Sequence, residues 1–429
     1  MKIELPYGRG GLSCESPEGK ALSVLQPPVL TPPRCVDDIL EEALKSPVNE
    51  VPFADFIKRG APVTIIVPDK TRKSGVSHIL PHLLKILHSN GFTKEDVRIL
   101  FANGTHGLQR QEEKESIIGS EAFRSYRVYE NDPYSKTDFI ELGLTTAGTE
   151  VSIHRLVIES KTVISIGAIV HHYFAGFGGG AKLFVPGVCA YKTALQNHNL
   201  TITADGDFHP SCHEGSLDGN PVYEDIVEAY RLCPPMFYFG VVLDAGGSIY
   251  DIAGGDPVAV HRRGAKVADS MFRIPIESRA DVVITSAGGY PKDSTMIQSH
   301  KAIQHAFAAV RPGGTILCCA ECRDGVGSPT FLEWFSYPTS DDMKKALRSH
   351  YTLNGHTALS LRKKTETVQI HFVSGLSAEI VRKMGMIPSN TLQSAVQLAF
   401  GEKEYHTILL VENGAAYLPT MRSSAAKHG

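Results

Sequence analysis

Three short stretches of this chain gather residue types that could do chemistry. Pro68-Asp69-Lys70-Thr71-Arg72 sets a carboxylate three positions before a guanidinium, and Asn103-Gly104-Thr105-His106-Gly107 puts a histidine on a glycine-flanked turn. His171-His172 then precedes Gly176-Phe177-Gly178-Gly179-Gly180-Ala181-Lys182. An imidazole titrates near pH 6.5 and so moves protons in either direction at neutral pH. The arginine fork matches a carboxylate. A glycine loop lets backbone N–H groups approach an anion, and its lysine could instead anchor a carbonyl-like group covalently. Blander readings stand beside these: Asp69 could cap a helix, and His106 could be a turn histidine satisfied by backbone. Adjacent residues of an extended chain point to opposite sides, so only one of His171 and His172 is expected to reach a ligand. The loop is no Walker A motif, since Leu183 follows Lys182, and it fails the dinucleotide fingerprint. A phosphate cradle backed by a following helix stays open, and His198 is a candidate metal ligand.

These residues need elements to hold them, and the apolar pattern supplies a βα rhythm. Val63 to Val67 reads as a strand, with a helix following through Ile79, Leu80, Leu83, Leu84 and Leu87 to Asn90-Gly91. Val97 to Ala102 is the next strand, Gln109 to Ile118 a charged helix, and Thr162 to Val170 a strand buried on both faces. The rhythm resumes with a strand at Val282 to Thr285, a helix at Ser294 to Val310 and strands at Thr315 to Cys319, Thr367 to Val373 and Thr407 to Val411. The expected fold is therefore α/β: two Rossmann-like domains with mostly parallel sheets and an active-site cleft between them. The domains are expected at 1–275 and 276–429, the last 15 or so residues returning to the first. The Pro- and Gly-rich first 35 residues read as an irregular arm or an edge hairpin. The chemical stretches all follow strand ends, where open parallel sheets bind ligands.

Composition removes several function classes. The chain has 429 residues, 42% hydrophobic and 21% charged, and its formal charge of −3 leaves no basic excess for nucleic acid. MKIELPYGRGG contains no apolar leader, and no apolar run nears the roughly 20 residues of a membrane span. The expected location is cytoplasmic, without nucleic-acid or membrane partners. Eight scattered cysteines read as free thiols. Cys318, Cys319 and Cys322 read as a buried strand end rather than a metal site, and His209-x-x-x-His213 as a surface loop.

Taken together, Asp69-x-x-Arg72, Asn103-Gly104-Thr105-His106, His171-His172, Ala175-Gly176-Phe177-x-Gly179-Gly180-x-Lys182, Pro186-Gly187 and His198 resemble the nickel-pincer-dependent lactate racemase family. The likeness continues through Gly288-Gly289-Tyr290-Pro291-x-Asp293 to Gln298 and Lys301, in the same order over most of the chain. Gly178 departs from it, standing where the family usually has Ser. The resemblance implies an isomerase that racemises or epimerises a small 2-hydroxy acid through a 2-keto acid. Its implied cofactor is a nickel-pincer nucleotide, pyridinium-3,5-bisthiocarboxylic acid mononucleotide nickel, tethered at Lys182 with His198 on the nickel. His106 and His172 would be the acid/base pair, and Arg72, Gln298 and Lys301 would hold the substrate. Asp69, Gly176, Gly179 and Gly180 would position the cofactor, and cofactor-synthesis and nickel-insertion enzymes would be maturation partners. Two other classes fit parts of the pattern: a phosphate- or nucleotide-dependent α/β transferase, and a non-catalytic sensor of a small acid or nickel.

Overall fold

The apolar run Val63–Pro68 is buried at every position, as a strand covered by helices on both faces must be. It belongs to a six-stranded sheet ordered 249–255, 236–243, 162–168, 63–68, 97–102, 127–130. Neighbours run parallel except the edge strand 249–255, which is antiparallel to 236–243. A second six-stranded sheet is ordered 387–389, 369–373, 310–319, 280–286, 407–411, 21–24 and is parallel throughout. The computed structural model describes residues 2–16, 20–31, 34–402 and 405–422. No helix among them is long and apolar enough to cross a membrane.

Each sheet belongs to its own compact unit. One unit comprises Thr31–Thr201 and His209–Asp269, and the other Met1–Leu30, Ile202–Phe208 and Ser270–Gly429. The α/β class and the parallel sheets are as the sequence rhythm requires. The first 30 residues, read from sequence with the first domain, instead join the unit of the carboxy-terminal half. Their strand Ala21–Val24 extends the second sheet beside Thr407–Val411, and Ile3, Leu5 and Cys14 of the hairpin Lys2–Tyr7/Gly10–Glu15 enter its core. Ile202–Phe208 is a second excursion, its Ile202 and Phe208 packed on the same unit's core and Asp207 paired with Lys344 and Lys363. The last residues, expected to return to the first domain, stay instead with the carboxy-terminal unit, where Leu418–Met421 pairs with Arg273–Ile276 of the same unit; residues 423–429 lie outside the described residues.

Strand order reverses once in each sheet, and the reversals fix where ligand-facing loops can gather. In the first sheet the chain moves outward from 63–68 through 97–102 to 127–130, then returns to 162–168 on the opposite side. The loops after 63–68 and 162–168 therefore diverge from one crevice, and they carry Asp69, Arg72 and His171 to Lys182. In the second sheet the reversal lies between 280–286 and 407–411. There Gly288 and Asn413 meet so closely that a Cβ on the glycine would fall 2.4 Å from Asn413 Oδ1.

Candidate active site

The turn after the 63–68 strand folds back on itself. Asp69 is buried, and its Oδ1 accepts from the Thr71 N–H at 3.0 Å and the Thr71 hydroxyl at 2.6 Å. Its Oδ2 takes Nδ1 of His106, which arrives on the turn after the 97–102 strand. Burial raises the Asp69 carboxyl, but the His106 ring, then Arg72 and Thr71, hold it below the ordinary carboxylate range. An ionised Asp69 fixes the His106 proton on Nδ1 and leaves Nε2 a free lone pair. The His106 turn is in turn held to the lysine loop, because Gly104 N–H donates to Gly187 O at 2.9 Å.

The two adjacent histidines part as an extended chain dictates. His171 is buried, stacks on Phe177 with ring centroids 4.8 Å apart and reaches Asp269 through Nε2 at 2.8 Å. His172 faces Phe174 edge-on at 4.4 Å, and its Nδ1 accepts from the Ala175 N–H at 3.3 Å. Phe174 is the hub of the site. His198, on the helix Tyr191–Asn199, meets the same ring at 5.1 Å, and Lys182 Nζ lies 5.5 Å from its centroid. Asn197 anchors that helix by donating to Val222 O at 3.1 Å and Asp225 Oδ2 at 2.8 Å.

Lys182 is the least satisfied group of the cluster. Its Nζ is buried and has no hydrogen-bond partner among the described residues. Burial first, and the charge of Arg72 second, push the ammonium down to about 7. The glycines around it serve packing against the protein itself. A Cβ on Gly176 would fall 2.1 Å from Ser216 O, on Gly179 2.6 Å from the Tyr238 hydroxyl, and on Gly180 2.8 Å from His261. At Gly178 a Cβ would meet Val170 Cγ2 at 3.6 Å and Val170 O at 3.8 Å, both ordinary contacts, so the side chain usual at this position has room. The expected phosphate-cradling helix after the loop is a four-residue 3-10 turn, Gly180–Leu183, too short to supply a helix dipole.

Residues 7–208 match the lactate racemase N-terminal domain, and residues 276–418 match the lactate racemase C-terminal domain. The chain belongs to the lactate racemase family. It is 28% identical over 405 residues to a lactate racemase of Thermoanaerobacterium thermosaccharolyticum, spanning 92% of this chain and 94% of that protein. It is also 28% identical over 417 residues to a lactate racemase of Lactiplantibacillus plantarum, spanning 94% and 96%. The solved lactate racemase apoprotein of T. thermosaccharolyticum superposes with a TM-score of 0.84, at 26% identity, over 99% of this chain and 100% of that one. A Thermotoga maritima protein shares the fold with a TM-score of 0.69 at 16% identity, over 91% of this chain and 99% of its own.

As a member of the lactate racemase family the chain is an isomerase, and the family implies a nickel-dependent cofactor. The residues present fit such a group: a buried amine without a hydrogen-bond partner and the imidazoles of His172 and His198, all gathered on the Phe174 ring, offer both an attachment point and a nitrogen donor. Gln298 and Lys301 lie in the other unit, on the helix Met296–Ala309, with Lys301 Nζ donating to Gln298 Oε1 at 3.2 Å. Asp293 has a structural part, its Oδ2 accepting from Gly8 N–H at 2.7 Å and Glu321 N–H at 3.1 Å. Cys318, Cys319 and Cys322 are buried free thiols, and no metal-capable group among the described residues includes them, His209 or His213.

Sequence reasoning passed over two supports of this site. Phe174, which joins the motifs spatially, was only a spacer residue between them. His261 is buried on the helix Pro257–Phe272, stays neutral because burial pushes it down to about 4, and donates Nε2–H to Gly178 O at 3.0 Å. Its signal was present: His261 shares one helical face with the buried Ala265 and Ala268, a place where a polar residue needs a reason.

Proposed function

We propose that this chain inverts C2 of lactate, or of a 2-hydroxy acid of similar size, using a nickel-pincer nucleotide attached at Lys182. The observation that carries this reading is the Lys182 amine. A buried lysine held down to about 7 is substantially an uncharged nucleophile at neutral pH, which covalent attachment requires. The two relatives called lactate racemase support the substrate class.

Direct removal of a C2 proton beside an ionised carboxylate is unfavourable, and a route through a planar keto acid avoids it. When bound, the cofactor supplies reversible hydride acceptance. The chain supplies everything else. His106, its Nδ1 proton fixed by Asp69, presents Nε2 to take the hydroxyl proton of one enantiomer. His172 serves the other hand, whose hydroxyl is placed differently while the reacting carbon stays put; its Nδ1 accepts from the Ala175 N–H, so the neutral ring carries its proton on Nε2 and gives up that contact when it acts as a base. In either direction one histidine starts neutral and takes the hydroxyl proton while the other starts protonated and delivers its proton to the alkoxide of the opposite hand, so the pair ends with its protonation states exchanged and resets through solvent. Arg72 pairs with the substrate carboxylate; Lys301 and Gln298 share that task on the strength of the family resemblance. His198 offers its imidazole to nickel, and the packed glycines Gly176, Gly179 and Gly180 keep the lysine loop in shape. Maturation then depends on enzymes that build the nucleotide and insert nickel, which places the protein with them in the cytoplasm.

The test is intact mass, nickel content and chiral lactate assay of protein co-expressed with those enzymes, for the wild type and Lys182→Ala. A covalent adduct with nickel near one per chain and interconversion of D- and L-lactate, all lost in the variant, support the proposal. A folded wild type with neither adduct nor nickel, under conditions that load another family member, overturns it.

A further inference from the structure

Away from the Phe174 cluster, a second set of ligating side chains comes together on the surface of the same unit. The helix Val76–Ser89 buries Ile79, Leu80, Leu83, Leu84 and Leu87, and its partly exposed side carries His78 and His82, one turn apart. Asp37, from the helix Val36–Lys45, approaches both: its Oδ1 is 3.2 Å from His78 Nε2 and 3.9 Å from His82 Nε2. One ligand atom from each residue lies within 4.8 Å of the others. His78 Nε2 is shielded from solvent yet makes no hydrogen bond, so its approach to the carboxylate is not explained by one.

We propose that Asp37, His78 and His82 bind a divalent transition-metal ion, independently of the Lys182 cluster. Two imidazole nitrogens and one carboxylate oxygen form the donor set of three-ligand zinc sites, with water in the fourth position. Bonds of about 2.0–2.2 Å in a tetrahedron put donor atoms roughly 3.4 Å apart. The Asp37 to His78 distance of 3.2 Å is already close to that, and the half-exposed His82, at 3.9 Å, needs only a small side-chain rotation to join. Neutral imidazoles disfavour calcium and magnesium, which take oxygen ligands. A bound ion would tie the two helices together and raise the stability of the folded chain by mass action.

The experiment uses the full chain, produced without cofactor-building enzymes, freed of metal by chelator and titrated with zinc chloride at pH 7.5. Bound zinc is measured by calorimetry and elemental analysis for wild type, His82→Ala, Asp37→Asn and His198→Ala, each checked for folding by circular dichroism. The expected result is one zinc on the wild type and on His198→Ala, with affinity lowered roughly tenfold or more in His82→Ala and Asp37→Asn. Melting temperature should rise with zinc in the first pair and not in the second. Zinc binding lost in His198→Ala but kept in His82→Ala and Asp37→Asn overturns the proposal, as does a wild type that takes up no zinc at micromolar concentration. Either result would leave Asp37 and the two histidines as an ion pair only.

Discussion

At the scale of single residues the site is built on groups held in the less comfortable of their protonation states. Lys182 shows it most plainly. Because its folded pKa lies near 7 and its ordinary value is 10.5, the unfolded chain holds the proton more tightly between those values. Stability of the cofactor-free protein should therefore rise with pH from about 7 toward 10.5. Lys182→Met should flatten that slope and raise the melting temperature at pH 7 by a few degrees, while abolishing the adduct; urea unfolding at pH 7 and 9.5 checks both. Asp69 acts through His106. In Asp69→Asn the amide would donate to Nδ1 and force the His106 proton to Nε2, the wrong nitrogen for a base. The expected loss in kcat is about 100- to 10,000-fold with KM little changed, measured on loaded enzyme at equal nickel content. Asp69, His106, His172 and Lys182 were legible because chemical residue types followed apolar runs. Phe174 and Asp37 were not, since a ring that joins three motifs and an acid forty-one positions from His78 acquire meaning only through folding.

At the scale of elements, the strands wrote themselves into the sequence wherever burial on both faces left an unbroken apolar run, as in 63–68 and 162–168. The edges were harder to read. The antiparallel 249–255 strand lies at an edge with half-exposed residues in its first turn of chain, and 21–24 looks like any short polar-flanked segment. Register inside a sheet depends on anchors, and Asp281 is one. Its Oδ2 accepts the N–H groups of His406 and Thr407 at 2.8 Å each, and its Oδ1 takes Arg311, fixing the start of 407–411 beside 280–286. Although burial alone would raise it, these donors hold the carboxyl well below the ordinary 3.8. Its contribution is present above that value and is lost as pH falls below it. Asp281→Asn should cost about 1.5–3 kcal/mol at pH 7 and remove part of the acid sensitivity, read from denaturant melts at pH 7 and 3.5. The lysine loop offers a contrast between neighbours. Gly176→Ala, with φ at +73° and a backbone oxygen in the way, should lose more than about 1 kcal/mol, whereas Gly178→Ser should melt with the wild type.

At the scale of the molecule, the chain does not divide where its composition changes. A boundary near 275 follows the linker-like Arg273-Ile274-Pro275, yet the unit that contains 276–429 also needs the first 30 residues. A fragment of 276–429 should accordingly fail to fold, because the 407–411 strand loses its neighbour and Asp293 loses the Gly8 N–H. Joining residues 1–30 to its carboxyl end through a flexible linker should restore a cooperative melt, observed by circular dichroism and dye binding. The interleaving also sets a clock on synthesis. Val24 pairs with a strand that leaves the ribosome some 380 residues later, and at roughly 5–20 residues per second the arm waits on the order of tens of seconds for it. For that interval Ile3 and Leu5, paired only within their own hairpin, lack the core they bury into and the 21–24 edge lacks its strand, so the newborn amino terminus offers apolar surface to chaperones before it is part of an enzyme.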